Sequence, residues 1–445
     1  MADNLFHGIS LEEIAEGAVV IQGVRTNVVG LVGTAEKGES NKPYLVRDIK
    51  DATTYFGTPE KREDGVANDS DIYTIPRSLA AIYEQGNPLC VVIKVPVSSV
   101  QAPAETPRND EAEDTGREIE AVEGNQDPQP VERSDIETIV QNIIGSYDPD
   151  LGSYTGIKLL ENIESRPVGE DGDGNAVYLP VVPKVLIAPE FSRNKEVGEA
   201  LSKAAGKLRA EFLVDCPNDP DDVGLPHGKA ISYASQYGGS GDSRGIACYP
   251  YVDMGGSIGV VGLSAPAAAV TALTKFSQPI SSQTIRGIRR LTKDVSWSLT
   301  EESDANNLNN NRIVTVIRRD GFRLWGNRSL AGEAENRFRW ISVRRIADQI
   351  NDSIIRNHFS ALDKNIIAAY IQNVLEGVQA YLDGMQRDGD ILGGLVFVDP
   401  EQNTPNEIKV GEVTFDFEFT PVYPANNIKF RSRMTDRFLT EIFPG

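Results

Sequence analysis

The chain has 445 residues, an apolar share of 40% and a formal charge of −21. That length can bury two or three cores, and the negative balance works against direct contact with nucleic acid or an anionic membrane. No run of about eighteen apolar residues spans a bilayer, and the first residues lack the basic and apolar regions of a secretory signal. Cys90, Cys216 and Cys248 stand isolated, which suits a reducing compartment and offers neither a disulfide framework nor zinc-ligand spacing.

Residues 1–20 alternate at Ile9, Leu11 and Ile14 and read as an extended arm. Residues 24–32 are β-branched and apolar, as in a buried strand, and 89–95 repeat that pattern. Between them, 48–56 and 75–83 have helical spacing. Residues 97–135 are rich in Pro, Glu, Asp and Gln and read as an acidic insertion. Residues 101–150 carry 14 acidic and 3 basic side chains, a balance of −11.

From residue 136 the pattern alternates. Helices are expected at 136–144, 156–163 and 228–237, and in an Ala-rich stretch that Ser264 and Pro266 open and that ends near Phe276. Another, capped by Ser192, would bury Val197, Leu201, Ala204, Ala205, Leu208 and Phe212. Strands are expected at 184–188, 212–215, 246–251 and 313–317, with a turn at 169–175 between short extended pieces. Such alternation implies a largely parallel sheet with helices on both faces, built from 21–96 and 136–325.

Beyond residue 326 the spacing is that of long helices. Val343, Ile346, Ile350 and Ile354 form one apolar stripe, with Arg345, Gln349, Asp352 and Arg356 opposite. A second helix turns Ile366, Ile367, Tyr370, Ile371, Val374, Val378 and Tyr381 inward. Residues 311–345 hold 9 basic and 3 acidic side chains, a balance of +6 in an otherwise acidic protein. Residues 326–420 thus read as a separate α+β domain, in which 393–398 can pair antiparallel with a strand carrying Val413, Phe415, Phe417 and Phe419 on one face. Pro421 and Pro424 stop that strand. Within a C-terminal arm at 421–445, residues 428–443 alternate again with no partner in sequence, as a strand suited to completing a neighbour's sheet would.

Signatures of catalysis are incomplete. Gly255-Gly-Ser257-Ile-Gly259 matches a nucleophile elbow, but the only later histidine, His358, lies within an amphipathic helical pattern. Asp215 followed by His227 fits the start of a subtilisin-type triad, yet no suitable serine comes later, and Gly241-Asp-Ser243-Arg-Gly245 belongs with a fold that this α/β pattern excludes. Asp171-Gly-Asp173-Gly-Asn175 begins like a calcium loop but has Ala176 and Val182 at the positions that need glycine and glutamate. Residues 30–37 lack the spacing of a phosphate-binding loop. The expectation is a protein without catalytic site, metal or cofactor.

Four segments together resemble the contractile-tail sheath proteins of phages and phage-derived particles, nearest the P2-like and R-type pyocin sheaths. They are Gly23-Val-Arg-Thr-Asn-Val-Val-Gly-Leu-Val-Gly-Thr-Ala-Glu-Lys-Gly38, Tyr154-Thr-Gly-Ile-Lys-Leu-Leu-Glu-Asn-Ile-Glu164, Ile317-Arg-Arg-Asp-Gly-Phe-Arg-Leu-Trp-Gly326, and Phe419-Thr-Pro-Val-Tyr-Pro-Ala425 with Arg433-Met-Thr-Asp-Arg-Phe-Leu439. The insertion lies outside the resemblance, and His7-Gly-Ile stands where such proteins often carry Pro-Gly-Val.

The resemblance implies an α/β core of subtilisin-like topology without catalysis, an α+β C-terminal domain next to an inner tube, and extended N- and C-terminal arms. It also implies hexameric rings stacked helically around the tube, baseplate and tail-terminator partners, assembly in the host cytoplasm, and residence in a virion tail or related particle. The arms would add strands to a neighbour's hairpin. The N-arm is placed at 8–16 (Ile9, Leu11, Ile14) and the C-arm at 427–434 (Ile428, Phe430). The accepting hairpin is placed at 395–399 (Leu395, Phe397) with 413–419 (Val413, Phe415, Phe417, Phe419). Arg337, Arg344, Arg345 and Arg387 are the expected tube-facing cations.

Overall fold

The computed structural model describes residues 21, 23, 25–59, 72–97, 133–150, 152–164, 169–170, 176–177, 181–218, 227–239 and 241–436. The N-arm residues Ile9, Leu11 and Ile14, nearly all of the 97–135 insertion and the acidic turn at 171–175 lie outside them.

The first half of the core runs β1 (Val28–Gly33), β2 (Pro43–Val46), α1 (Ile49–Phe56), α2 (Ile75–Tyr83) and β3 (Leu89–Lys94). Asp48 opens α1 as its cap, accepting from Lys50 N at 2.8 Å and Asp51 N at 2.9 Å. Then come α3 (Arg133–Ile144), a short hairpin of β4 (Tyr147–Asp148) and β5 (Ser153–Tyr154), α4 (Gly156–Glu161), and a second hairpin of β6 (Gly169–Glu170) and β7 (Ala176–Val177). The second half holds β8 (Val185–Ile187), α5 (Lys195–Leu208), β9 (Glu211–Asp215), α6 (Gly228–Ser235) and β10 (Gly245–Cys248). A small sheet of β11 (Val252–Asp253), β12 (Val260–Val261) and β14 (Arg290–Leu291) surrounds α7 (Ser264–Leu273) and β13 (Thr284–Ile285) in the chain, before α8 (Asp304–Asn310), β15 (Ile313–Arg318) and β16 (Phe322–Trp325).

Nine of these strands form one sheet in the order β13-β16-β15-β10-β9-β8-β1-β3-β2. From β15 to β3 every pairing is parallel, while β2 and the β16–β13 pair close the two edges antiparallel. Buried parallel strands read as continuous apolar runs, and so all six were visible in the sequence. The short edge strand β2 and the β15–β16 hairpin were not. The hairpin turns at Asp320 and Gly321, both at positive φ, the left-handed backbone that an Asp-Gly pair supplies.

One core cluster packs α1, α2 and α7 on one sheet face through Phe56, Leu79 and Ala268. Another packs α3, α4, α5 and α6 on the opposite face through Ile139, Leu160, Leu201 and Tyr233. Ser192 does not cap α5. Asn194 stands at that position, and Ser192 sits in a preceding 3-10 turn where its hydroxyl accepts from Asp215 N at 2.9 Å. Phe212 belongs to β9, and α7 ends at Leu273 rather than near Phe276.

A third cluster lies between α9 (Ile341–Asn357), α10 (Ala368–Arg387) and a two-stranded sheet of β17 (Ile391–Phe397) and β18 (Asp416–Pro421), with α11 (Pro405–Val410) in the connection. Ile346, Ile350, Val378 and Leu382 are its centre, and Ile21 packs on it. Ile367 is not inward: α10 begins one residue later, and Ile367 is 58% exposed. Among the described residues no helix is long and apolar enough to cross a membrane.

Candidate assembly interface

In an open α/β sheet, ligands sit outside the carboxyl ends of the strands where the strand order reverses, here between β1 and β8. One strand further along, at the carboxyl end of β9, the protein braces a buried carboxylate of its own. Asp215, at the end of β9, is fully buried and accepts from Glu190 N (2.9 Å), Ser264 N (2.8 Å) and Ser264 Oγ (2.7 Å). Ser264 opens α7, so the carboxylate occupies the helix end that would otherwise attract an anion. A Cβ on Gly262 would fall 2.2 Å from Asp215 Oδ2, which leaves no room for a ligand there. Arg77 pairs with Glu190 at 3.2 Å beside it. Burial pushes the Asp215 carboxyl above the usual range, against the pull of these hydrogen bonds.

The other catalytic candidates do not converge on Asp215. The His227 ring lies 3.2 Å from Tyr249 Oη and 3.8 Å from Asp304. Ser257 is exposed in the turn joining antiparallel β11 and β12, where Met254 N donates to Gly259 O at 2.9 Å. It is not on a strand-to-helix elbow. Asp215 is therefore a structural brace. Asp215→Ala orphans two buried N–H groups and should destabilise by about 1–3 kcal/mol for each, read as a lower urea midpoint.

Helix α9 corrects the tube-facing assignment. Arg344 and Arg345 are 7% and 2% exposed, Asp352 is 4% exposed, and Gln349 is buried as well. Arg344 and Arg244 both bond Asp348, the latter at 2.7 and 2.8 Å. Arg345 lies 3.6 Å from Glu211 and donates to Thr271 O and Thr274 O. Asp352 meets Lys184 at 2.8 Å and Arg356 at 3.0 Å. Up to Ser353 the helix is largely buried all round, because its apolar stripe faces the third cluster while its charged face lies on the amino ends of β8 and β9. Arg344 and Arg345 are thus internal, whereas Arg337 and Arg387 are exposed. The interleaved signs at i,i+4 spacing (Arg344–Asp348, Asp352–Arg356) were the available signal of this network.

The two strands expected as the acceptor do pair with one another, slightly shifted from their expected bounds. β17 pairs antiparallel with β18 from Ile391↔Pro421 to Phe397↔Asp416. Val413 and Phe415 precede the strand, because Asn403 binds the backbone of Thr414 through both its amide N and O, at 3.0 and 2.8 Å. Phe415, Phe417 and Phe419 pack partly buried on the third cluster, and the Phe417 and Phe419 rings are stacked 6.5 Å apart. Leu395 and Phe397 point outward, 50% and 42% exposed. No third strand pairs with this sheet among the described residues. After β18 the chain runs to Asp436 without ladder pairing, with Ile428, Phe430 and Met434 exposed at 67%, 90% and 101%. Such exposed alternation beside an unfinished sheet is the arrangement of β-augmentation.

Residues 333–435 match the family described as phage tail sheath C-terminal domain. Over nearly its whole length the chain is 28% identical to the tail sheath protein of Escherichia phage P2, covering 98% of this chain and 97% of that one. Among solved structures it resembles a PVC sheath complex of an extracellular contractile injection system in the contracted state, with TM-score 0.59, 15% identity and coverage of 98% and 99%. It likewise resembles the contracted helical sheath of the anti-feeding prophage, with TM-score 0.59, 16% identity and coverage of 96% and 99%. At these identities the solved structures speak for the fold alone.

Proposed function

We infer that the chain belongs to the contractile-tail sheath proteins, and that it is a structural subunit and not an enzyme, assembling with copies of itself into a sheath that contracts. The observation that carries this reading is the two-stranded β17–β18 sheet left unfinished beside an exposed, alternating C-terminal segment. Subunits form six-membered rings stacked helically around an inner tube, between a baseplate and a terminator, in a phage tail or a related particle. Residues 1–20 and 421–445 act as arms that add strands to neighbours, and the core resembles subtilisin in topology, a reading supported by its parallel sheet with helices on both faces.

Ladders of modest hydrogen bonds hold neighbours together while subunit bodies reorient, so contraction is a downhill change between two packings. The exposed Arg337 and Arg387 touch the tube. Exposed ion pairs contribute about 0–1 kcal/mol each, weak enough for the tube to be released. Reversing both charges should lower co-assembly with the tube; unchanged co-assembly removes them from that role. Negative-stain microscopy of the purified protein tests the whole reading. Ordered tubes or rings are expected, and a compact monomer at every concentration overturns it.

A further inference from the structure

The hairpin of β15 and β16 carries a cluster of cations that the rest of the fold leaves without counter-charge. Arg318, Arg319 and Arg323 stand about its turn, and β13 brings Arg286 beside them, because Ile285 pairs with Phe322 in the ladder. Arg286, Arg318 and Arg319 are exposed, and Arg323 is half-buried. Elsewhere Arg244, Arg290 and Arg345 each meet a carboxylate. Among the described residues Arg286, Arg318, Arg319 and Arg323 have no ion-pair partner, and Asp320 at the tip is the one acid in 318–323.

The cluster is held in place. Arg286 N donates to Gln85 Oε1 at 2.8 Å, and the Arg286 carbonyl accepts from Gln85 Nε2 at 3.0 Å. Arg323 donates to Arg319 O at 3.0 Å and to Ser282 O at 2.9 Å. The Arg319 guanidinium lies 5.4 Å from the centre of the Trp297 ring, and that of Arg318 lies 6.0 Å from Phe322. Like charges fixed close together repel one another, and an acidic segment that neutralises several of them binds without first having to order them. The chain supplies such a segment itself. Residues 101–132 carry 10 acidic and 2 basic side chains, a balance of −8.

We propose that the cluster of Arg286, Arg318, Arg319 and Arg323 seats the acidic segment 101–132 of a neighbouring copy. Within one chain that segment leaves from β3 and re-enters at α3, and β3 lies five strand positions from β15, about 24 Å at the usual strand spacing. The root of the acidic segment and the arginine cluster thus stand toward opposite edges of one sheet. Two copies set edge to edge bring them together, in a heterologous contact that repeats from copy to copy. The contact lies apart from the β17–β18 sheet and gives assembly a charge-dependent part that salt screens. This rests on the reading that copies of the chain assemble, and adds an electrostatic contact between them.

The test uses the full chain. Arg318→Lys with Arg319→Lys keeps both charges and introduces primary amines, which a carbodiimide joins to carboxylates in direct contact. Isotope-labelled and unlabelled chains are mixed before assembly, so that peptide mapping separates links between copies from links within one. Links from position 318 or 319 to residues 105–132 that join a labelled to an unlabelled chain are expected. Links to that segment only within one chain overturn the neighbour as its source. Particles that form with no link to the segment overturn the seat itself while the assembly reading stands, and chains that never associate overturn both. In a second arm, R286E/R318E/R319E and E111K/E113K/E118K should each raise the concentration needed for assembly about tenfold, with thermal melting unchanged. The chain carrying both sets should return to the starting value. Assembly of that chain no better than with either set alone removes the charge pairing.

Discussion

A chain lacking residues 427–445 is expected to stay folded but to form no ordered tubes. None of the described residues in that segment is buried, and none contributes to the three core clusters. Loss of surface chain away from core and network features changes stability by no more than about 0.5 kcal/mol, so thermal melting should be unaltered. Assembly is different. A strand over 428–434 adds several ladder bonds at about 0.5–1.5 kcal/mol net each, and burying Ile428 and Phe430 contributes about 1.5–3 kcal/mol apiece. If, as proposed, every subunit both gives and accepts an arm, removing one arm breaks every such contact in the lattice. Sedimentation with microscopy measures this, and ordered tubes from the shortened chain would refute it.

Asp348→Ala should be the most damaging single change in the body. Asp348 is 4% exposed and neutralises both Arg244 and Arg344. Removing one partner of a buried ionic cluster costs about 3–5 kcal/mol, because it leaves charge buried without compensation. The expected readout is a Tm lowered by several degrees. Adding Arg244→Met and Arg344→Met to Asp348→Ala should restore most of the loss, since an apolar replacement of the whole cluster no longer buries a lone charge. A single variant as stable as the parent would show that the seam between α9 and the sheet does not depend on these pairs. Arg337→Ala, at the exposed end of the same segment, should stay within about 0.5 kcal/mol.

Much of the core was legible because its strands are buried on both faces and its helices on one. Val185 to Ile187 or Cys90 to Ile93 can be nothing but interior, and the spacing of Val197, Leu201, Ala204 and Leu208 announces which face of α5 packs. The two strands of the β17–β18 sheet were legible too, from the alternation of Phe417 and Phe419. Their limits were not, because a distant side chain, Asn403, holds the chain just ahead of Asp416 out of the ladder.

The sequence alone determined the alternation of strands and helices, the presence of an unpaired strand pattern after Pro421, and the resemblance that the four motifs carry. Those features depend on local periodicity and on residue types at fixed spacing. Only the tertiary structure decided that Arg344 and Arg345 are internal, that Asp215 braces the start of α7, and that Gln379 of α10 takes backbone groups of β17. Periodicity separates one helix face from another; it does not say whether the polar face meets water or a second charged surface. That depends on contacts such as Arg345 with Glu211, which lie far apart in the chain and form only when the two layers pack.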